Sequence, residues 1–465
     1  MRNVILLLLC AFTSISVCSA FGDSPGFTNA IGISKQGDNS TIPQLIVSGN
    51  NVYVGWIDNN ANSFKVFFTK STDGGSTFET PFNLGNSSQQ GADNLNMMES
   101  NGKLYAIWQS TTSSGSVIYF SKSADEGNTF SSPSKVSLVG TDSAFPKIAV
   151  SGDHVYAVWL ERIEQNVTNV AFAKSDDGGD SFGSPIAITT HSGTSGLPQI
   201  SADANNVYLL WEDNSLGNFD VFFAKSTDMG NTFNPVKNIS SNTGQSGTPK
   251  MVSAGNNIAI SWMDDSSGSY NIMFSKSTDG GLTFSKPLNI SNSTKDAGYP
   301  ELALSGNNVY VTWTNTMEKN NYDILFSKSD DGGQTFANPV NISNNSGASG
   351  WPQIAVSRDV YISWVDNTPG NFDIYIAKSI DNGASFETPV NISNTPNESW
   401  YNRMAVHPDT VYMVWQEANG SNHDIMFTKS TTFVPEFGPV VSIVLVIGIM
   451  VIVAASRIFP MKFSS

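Results

Sequence analysis

Cysteine, histidine and positive charge are scarce in this chain of 465 residues. The two cysteines, Cys10 and Cys18, lie near the start, so no disulfide is expected in the rest of the chain. The four histidines show no i, i+4 spacing, which argues against a histidine-bound metal. Lysine and arginine number 24 against 40 aspartates and glutamates, a net charge of −16, and this imbalance argues against nucleic acid as a partner.

Long apolar runs occur only near the two ends of the chain. Residues 1–20 combine Arg2, an apolar run and a small-residue exit at Ala20, which predicts a signal peptide and an exported protein. Residues 434–465 contain the motif Val434-Pro-Glu-Phe-Gly438, 17 apolar or small residues from Pro439 to Ala455, and a basic tail. This second pattern predicts a C-terminal transmembrane helix that holds the preceding residues outside the membrane.

Between these ends the pattern S-x-D-x-G-x-[ST]-F occurs seven times. Serine and aspartate side chains can accept bonds from the N–H groups of a tight turn, and glycine permits a positive φ. We therefore interpret each octet as a β-hairpin turn with a structural role, pinned by its phenylalanine to the sheet beneath. The octet aspartates recur every 50 to 52 residues, at Asp73, Asp125, Asp177, Asp228, Asp279, Asp331 and Asp381.

A second repeat, a short apolar run that ends in tryptophan, occurs eight times. Such runs are typical of strands buried on both faces, as in a small sheet between two neighbouring sheets. A period of about 50 residues with four strands per unit predicts an all-β, single β-propeller with eight four-stranded blades; seven blades is the alternative. The eight tryptophans are Trp56, Trp108, Trp159, Trp211, Trp262, Trp313, Trp364 and Trp415.

The ends of the repeat region differ from its middle. The last unit stops after its third strand, whereas Phe27 to Ser34 precede the first unit and match the fourth-strand segments that end in Asn-Ile-Ser. We therefore expect the N-terminal strand to complete the last blade, which would remove two open sheet edges. One propeller domain, residues 21–433, is predicted.

The octets resemble the Asp box, or BNR repeat, of sialidases and related β-propellers, and Val434 to Gly438 resembles the PEFG type of archaeal C-terminal sorting signal. A sialidase would bind the carboxylate of its substrate with three arginines. The region holds only Arg162, Arg358 and Arg403, and Thr41 stands where the family's F-R-I-P motif has arginine. The arginine triad is not found, so no catalytic residue is assigned, and a sialidase-like glycoside hydrolase remains the alternative function.

Acidic residues follow the tryptophans, and in three blades a second acid lies seven residues later. Like charges that face each other across a hairpin cost free energy unless something offsets them. Either calcium binds between them, or each carboxylate accepts N–H bonds in an Asx turn. The candidate metal ligands are Asp213, Asp220, Asp366, Asp373, Glu417 and Asp424.

Strand cores and octets are nearly uniform between units, whereas the loops between second and third strands differ. In a propeller these loops share a face with the segments that lead into the first strands, opposite the octets, and ligands bind on loop-built faces. The leading segments add large aromatic residues to that face. The aromatic side chains either stack on sugar rings or fill the channel wall. The prediction is a non-catalytic cell-surface module that binds a glycan or an envelope protein, or an envelope-assembly component without a small ligand. The candidate ligand face comprises Phe145, Tyr299, Trp351, Trp400 and Tyr401.

Overall fold

The computed structural model describes residues 26–430 apart from 36–37, 61–62, 86–89, 114, 139–141 and 319–320. The described residues form eight antiparallel four-stranded sheets arranged as the blades of one β-propeller, which confirms the eight-bladed prediction over the seven-bladed one. The predicted signal peptide and C-terminal helix lie outside the described residues. Within the described part of the chain, no helix has the length and apolar character that a membrane span requires.

Each blade has a first, inner strand beside the channel and a buried second strand. The inner strands are Ser40–Ser48, Gln90–Ser100, Asp142–Ser151, Ser195–Asp203, Ser246–Ala254, Ala297–Ser305, Ser349–Val356 and Ser399–His407. The second strands are Asn51–Asn60, Lys103–Thr112, His154–Glu164, Asn206–Asp213, Asn257–Asp264, Asn308–Glu318, Val360–Asp366 and Thr410–Asn419.

A third strand and a two-residue outer strand complete each blade. The third strands are Ser63–Ser71, Gly115–Ser123, Val167–Ser175, Asp220–Ser226, Asn271–Ser277, Asn321–Ser329, Asp373–Ser379 and Asn422–Lys429. The outer strands, beginning with the N-terminal one, are Ile31–Gly32, Phe82–Asn83, Ser134–Lys135, Ile186–Ala187, Lys237–Asn238, Leu288–Asn289, Val340–Asn341 and Val390–Asn391.

The hydrophobic core consists of layers between neighbouring blades. In the layer between blades one and two, Val66 and Phe68 of one blade contact Leu104 and Trp108 of the next, and all four side chains are buried. All eight tryptophans of the second strands are almost completely buried. The continuous apolar runs of the second strands follow from this arrangement, because each second strand has a blade on either side.

The N-terminal strand closes the ring as predicted. Ile31 pairs with Phe427 in the third strand of the last blade, and Gly32 pairs with Met426. Backbone hydrogen bonds extend the pairing at both ends, from Thr28 N–H to Lys429 O at 2.8 Å and from Ile33 N–H to Ile425 O at 2.8 Å. The last blade therefore has four strands although its own chain segment supplies three.

The repeated octets form hydrogen-bonded turns at the end of the third strands. In the fifth blade, Ser277 Oγ accepts the Gly281 N–H at 2.8 Å and donates to Asp279 Oδ1 at 2.7 Å. The same carboxylate oxygen accepts the Thr283 N–H at 2.9 Å. Gly281 has φ of 84°, in the left-handed region that favours glycine. The residue types of the octet thus follow from the geometry of the turn.

The closing phenylalanine of each octet contacts the preceding blade, whereas the sequence analysis expected the sheet beneath. Phe284 meets Phe223 of the preceding blade edge to face, with ring centroids 4.9 Å apart. Lysines of four third strands also reach the following octet: Lys276 Nζ donates to Gly332 O at 2.6 Å, and Lys429 Nζ donates to Gly74 O at 2.6 Å across the ring closure, while Lys70 and Lys122 make the equivalent bonds. The octets therefore join blades to each other.

Candidate functional site

Every inner strand contains a β-bulge opposite the buried tryptophan of its blade. In blade four the ladder passes from Gly196 to Gln199 on the inner strand but only from Glu212 to Leu210 on the second strand, so the inner strand has one extra residue. In six blades the second bulged residue is proline. Proline has no backbone N–H to donate, so it fits a position where the hydrogen-bond ladder between the strands is interrupted. Bulges redirect side chains, and they are frequent next to functional sites.

The first residue of each bulge, here called the apex residue, has a left-handed backbone. All eight apex residues have φ between 45° and 54°, and none of them is glycine. Residues other than glycine rarely adopt this backbone conformation, and β-branched or bulky residues adopt it least often. Strain of this kind persists where the surroundings enforce it, and it concentrates at functional sites. The apex residues are Ile42, Asn94, Phe145, Leu197, Thr248, Tyr299, Trp351 and Tyr401.

Six of the eight apex residues, all except Ile42 and Asn94, line the mouth of a cavity of about 960 Å³ in the central channel. All five residues of the predicted ligand face line this cavity, so the structure brings them together. Four are apex residues with exposed side chains: Tyr299 is 56% exposed, Trp351 53%, Tyr401 52% and Phe145 46%. Exposed aromatic surface around a concave site is what carbohydrate rings and other flat apolar faces bind.

The fifth predicted residue, Trp400, has a packing role. Its ring lies 4.1 Å from the ring of Phe372 and 5.4 Å, edge to face, from that of Trp351, measured between centroids. The two interpretations of the aromatic residues, stacking on sugar rings and filling the channel wall, thus apply to different residues. Trp400 packs against two other rings in the cavity wall, whereas the apex residues Trp351 and Tyr401 are more exposed where they line the cavity.

Hydrogen bonds place the loops on the two faces as expected. The segments leading into inner strands lie beside the loops between second and third strands: Ser246 N–H donates to Phe219 O at 2.7 Å. The octets lie at the other end of the channel, beside the turns between first and second strands, where Gly280 N–H donates to Asn256 O at 2.9 Å. The aromatic mouth and the octets therefore occupy opposite faces.

Two residues after each apex lies a second ring, which the sequence analysis missed. Three of its positions carry positive charge, Lys147, Lys250 and Arg403, and one carries negative charge, Glu301, while the others are amides. All four charged side chains line the cavity below the aromatic mouth. Counting two residues onward from each apex in the repeat alignment would have identified this ring.

The charges of this second ring are unevenly paired. Lys250 Nζ lies 2.7 Å from Glu301 Oε1. Lys147 and Arg403 form no ion pair within the described part of the chain; Arg403 Nη1 donates only to the adjacent backbone oxygen of Asn402, at 3.1 Å. Burial, together with the nearby charges of Lys250 and Arg403, lowers the pKa of Lys147 to about 8. The channel therefore holds positive charge that the protein leaves largely uncompensated.

The candidate metal ligands pair across their hairpins as the spacing predicts: Asp213 faces Asp220, Asp366 faces Asp373, and Glu417 faces Asp424. Asp213 Oδ1 accepts the Ser215 N–H at 2.8 Å, and Asp366 Oδ1 accepts the Thr368 N–H at 2.8 Å, which is the Asx-turn arrangement.

Side-chain donors occupy the facing acids as well. Asn238 and Ser240 donate to the two oxygens of Asp220, and Asn391 and Ser393 donate to those of Asp373. Over the residues that the structure describes, no three His, Cys, Asp or Glu side chains come together as metal ligands. Calcium stays a prediction, which titration of calcium into the metal-free protein tests.

Two further features bear on the hydrolase alternative. The first is that the three arginines lie apart. Arg162 pairs with Asp142 at 2.8 Å on the face that carries the mouth. Arg358 contacts Asp359 and Asp409 on the face that carries the octets, and Arg403 lies in the channel.

The second feature is a carboxyl group beside the mouth. Glu212 is partly buried, and its Oε2 accepts the N–H of the apex residue Thr248 at 2.9 Å. Burial raises the pKa of Glu212, a property of carboxyl groups that act as general acids. In all seven other blades the residue after the tryptophan is uncharged, so this position distinguishes the fourth blade.

No protein-family model matches the chain, and no curated protein matches its sequence. Among solved structures, the chain is similar to a protein of unknown function from Dyadobacter fermentans (15% identity, 65% of this chain and 99% of that one, TM-score 0.40). It is similar to a PL25 ulvan lyase bound to a GlcA–Rha3S ligand (12% identity, 79% and 95%, TM-score 0.49). It is also similar to Trypanosoma rangeli sialidase in complex with sialic acid (11% identity, 88% and 59%, TM-score 0.41).

Proposed function

We propose that this β-propeller is a non-catalytic, glycan-binding module of the cell surface, and that it binds its ligand at the channel mouth opposite the octets. The observation that carries the proposal is the ring of strained bulges that directs exposed aromatic side chains into one cavity. Left-handed tyrosine, tryptophan and phenylalanine residues lower the stability of the fold, so their placement requires a benefit other than folding. Ligand binding supplies that benefit.

The chemistry of the mouth favours a carbohydrate over an apolar ligand. The aromatic apex residues lie above a ring of amides and charged groups, including Gln44, Gln199 and Gln353. Sugars present both an apolar face, which stacks on aromatic rings, and hydroxyl groups, which bond with amide and charged side chains. A purely apolar ligand would leave the second ring without partners and would pay the cost of its desolvation.

A glycan array with the purified full-length protein tests this function. We expect binding to at least one oligosaccharide class, weakened about tenfold or more when Trp351 is replaced by alanine. Replacement of Leu282, an exposed octet residue at the other face, by alanine is the matched control and should leave binding unchanged. Absence of glycan binding, or equal binding by both variants, would contradict the proposal.

Export and anchoring belong to the same proposal and rest on the sequence of the two ends. Mass spectrometry of the native protein tests both. We expect peptides to begin after Ala20, and we expect the segment from Pro439 to Ser465 to be removed if Val434 to Gly438 is a sorting motif. Intact Arg457 to Ser465 peptides in surface protein would favour a plain transmembrane anchor.

Glu212 supports one second candidate, a glycoside hydrolase. Its raised pKa and its place beside Thr248 suit a general acid. Incubation of the protein with the oligosaccharides that it binds separates the two functions. Turnover that Glu212→Gln abolishes, with binding retained, would make the protein an enzyme, whereas binding without turnover supports the non-catalytic module.

A further inference from the structure

The channel below the mouth is positive although the chain as a whole carries a net charge of −16. Lys147, Lys250 and Arg403 outnumber the single carboxylate, Glu301, and that carboxylate is engaged by Lys250 at 2.7 Å. Blades three and eight therefore contribute cations that form no ion pair among the described residues, and Glu301 is the one carboxylate near enough to attract them. This local reversal of charge sign lies directly under the aromatic mouth.

Uncompensated cations in a channel cost free energy, because the channel replaces part of their hydration by weaker interactions. The lowered pKa of Lys147 expresses that cost, and Lys250 and Arg403 add repulsion to it. Amides stand at the four other positions of the same ring, Gln44, Asn96, Gln199 and Gln353, so the fold itself accepts a neutral residue here. When charged groups lie in a cavity and the fold does not need them, they indicate a ligand of opposite charge.

From these observations we infer that the ligand is an acidic glycan, and that a carboxylate or sulfate group of the bound chain enters the channel and pairs with Lys147 and Arg403. This inference rests on the proposed function, since the aromatic mouth binds the sugar rings while the cations bind the acidic group. Arg403 offers several N–H donors in a plane, which suits the two oxygens of a carboxylate or a sulfate.

Calorimetric titration of the full-length protein with three hexasaccharide probes tests the inference. Oligogalacturonate carries carboxylates, dextran sulfate of matched length carries sulfates, and maltohexaose carries no charge. We expect one or both acidic probes to bind at least about tenfold more tightly than maltohexaose. Binding of only one acidic probe identifies the anionic group. Equally tight binding of poly-L-glutamate would contradict the glycan part of the inference.

Failure of this inference is distinguishable from failure of the proposed function. If maltohexaose binds as tightly as the acidic probes, and Trp351→Ala weakens all of them, the mouth binds glycans but the channel cations do not select acidic ones. If no oligosaccharide binds, both ideas are wrong. Acidic probes that bind to Lys147→Met as tightly as to the wild type would also overturn the inference.

Charge-removing variants identify the residues. Lys147→Met and Arg403→Met should each weaken binding of the acidic probe about tenfold or more. Lys286→Met, at an exposed site just after the octet of blade five, removes the same charge and should change binding less than about twofold. Lys147→Met keeps the inference testable if Arg403→Met fails to fold, because methionine removes the unfavourable charge and keeps the aliphatic chain.

The pH dependence of binding separates a direct ion pair from a structural effect. Lys147 loses its proton as the pH rises through about 8, so acidic-probe affinity should fall between pH 7 and pH 9. Lys147→Met should remove most of this fall, whereas Arg403→Met should keep it. A fall that persists unchanged in Lys147→Met would contradict the assignment. The other charged or titratable groups that line the cavity are Lys250, Glu301, Arg403, His423, Tyr299 and Tyr401.

Discussion

The two faces of the ring place different residues in the same left-handed backbone conformation. On the octet face the positions next to the preceding blade are glycines, such as Gly281 with φ of 84°. On the mouth face the apex positions are Trp351, Tyr299 and other residues with side chains, at φ of 51° and 54°. Glycine adopts this conformation without steric cost, whereas a residue with a Cβ pays about 1 to 2 kcal/mol. The residues at left-handed positions on the octet face thus favour stability. Those on the mouth face lower stability but present large side chains.

Polar groups differ between the faces in the same way. Each octet carboxylate accepts several hydrogen bonds at the turn, as Asp279 does from Ser277 and Thr283. In the channel, Lys147 and Arg403 form no ion pair among the described residues. Satisfied groups stabilise a fold, and unsatisfied ones remain available to a ligand. We therefore expect changes on the octet face to affect folding and changes at the mouth to affect binding.

Acidification should produce the largest effect, because it acts on all octets together. Hydrogen bonds from the threonine four residues later lower the pKa of Asp125 and of Asp228 to about 2, below the usual 3.8. A lowered folded-state pKa stabilises the protein above the unfolded-state value, and this stability is lost as the pH falls. The melting temperature should therefore be level near neutral pH and fall steeply from about pH 4 towards pH 2. A melting temperature that is equal at pH 7 and pH 2.5 would contradict the role of the octets.

Gly281→Ala should cause the largest loss of stability among single substitutions, about 3 kcal/mol. The added Cβ would lie 2.7 Å from the ring of Phe223 in the preceding blade, and the backbone is left-handed. Denaturant unfolding measures the change. Glycan binding below the unfolding transition should equal that of the wild type. Gly350→Ala, at an inner-strand site where a Cβ meets nothing within 4 Å, is the matched control.

Tyr299→Ala should weaken glycan binding by about 2 kcal/mol, roughly 30-fold in Kd, since exposed aromatic anchors dominate binding energies. Its side chain is 56% exposed at the mouth, so the free energy of unfolding should change little. Isothermal titration and chemical unfolding of the same preparation report both quantities. A large loss of stability together with unchanged binding would reverse the assignment of this residue.

Lys147→Met should have an effect of the opposite sign: a higher melting temperature at pH 7. The folded-state pKa of this base is lowered to about 8 from 10.5, so its charged form opposes folding below that pH. The gain over the wild type should shrink as the pH rises from about 8 towards 10.5, where the wild-type lysine also becomes neutral. A variant that is less stable than the wild type at pH 7 would show that Lys147 supports the fold.

The fold followed from the sequence because its determinants are local and repeated. The octets, the tryptophan runs and the N-terminal match to the outer strands together predicted the number of blades and the closure. The direction in which Phe284 packs could not be predicted, since a turn motif does not specify which blade lies above it. That contact depends on the angle between neighbouring sheets, which the hairpin itself does not encode.

The candidate site was predicted in part. The variable loops identified the ligand face, and with it Tyr299, Trp351 and the other mouth aromatics, but not the bulges that position them, because a bulge is defined by the register of two strands. Lys147 and Arg403 went unnoticed because they lie 256 residues apart in the chain and look like ordinary solvated charges. Only ring closure brings the third and eighth blades to the same channel.

The most direct test of the functional division between the faces compares Trp351→Gly with Ser277→Ala in paired titration and unfolding experiments. Trp351→Gly should lose glycan binding and remain within about 0.5 kcal/mol of wild-type stability, because relief of the left-handed strain offsets the entropy that glycine adds to the unfolded chain. Ser277→Ala leaves the Gly281 N–H without its acceptor, so it should lose about 2 kcal/mol of stability and keep full binding. If Ser277→Ala loses binding while folded, or if Trp351→Gly binds like the wild type, the division between the two faces is wrong.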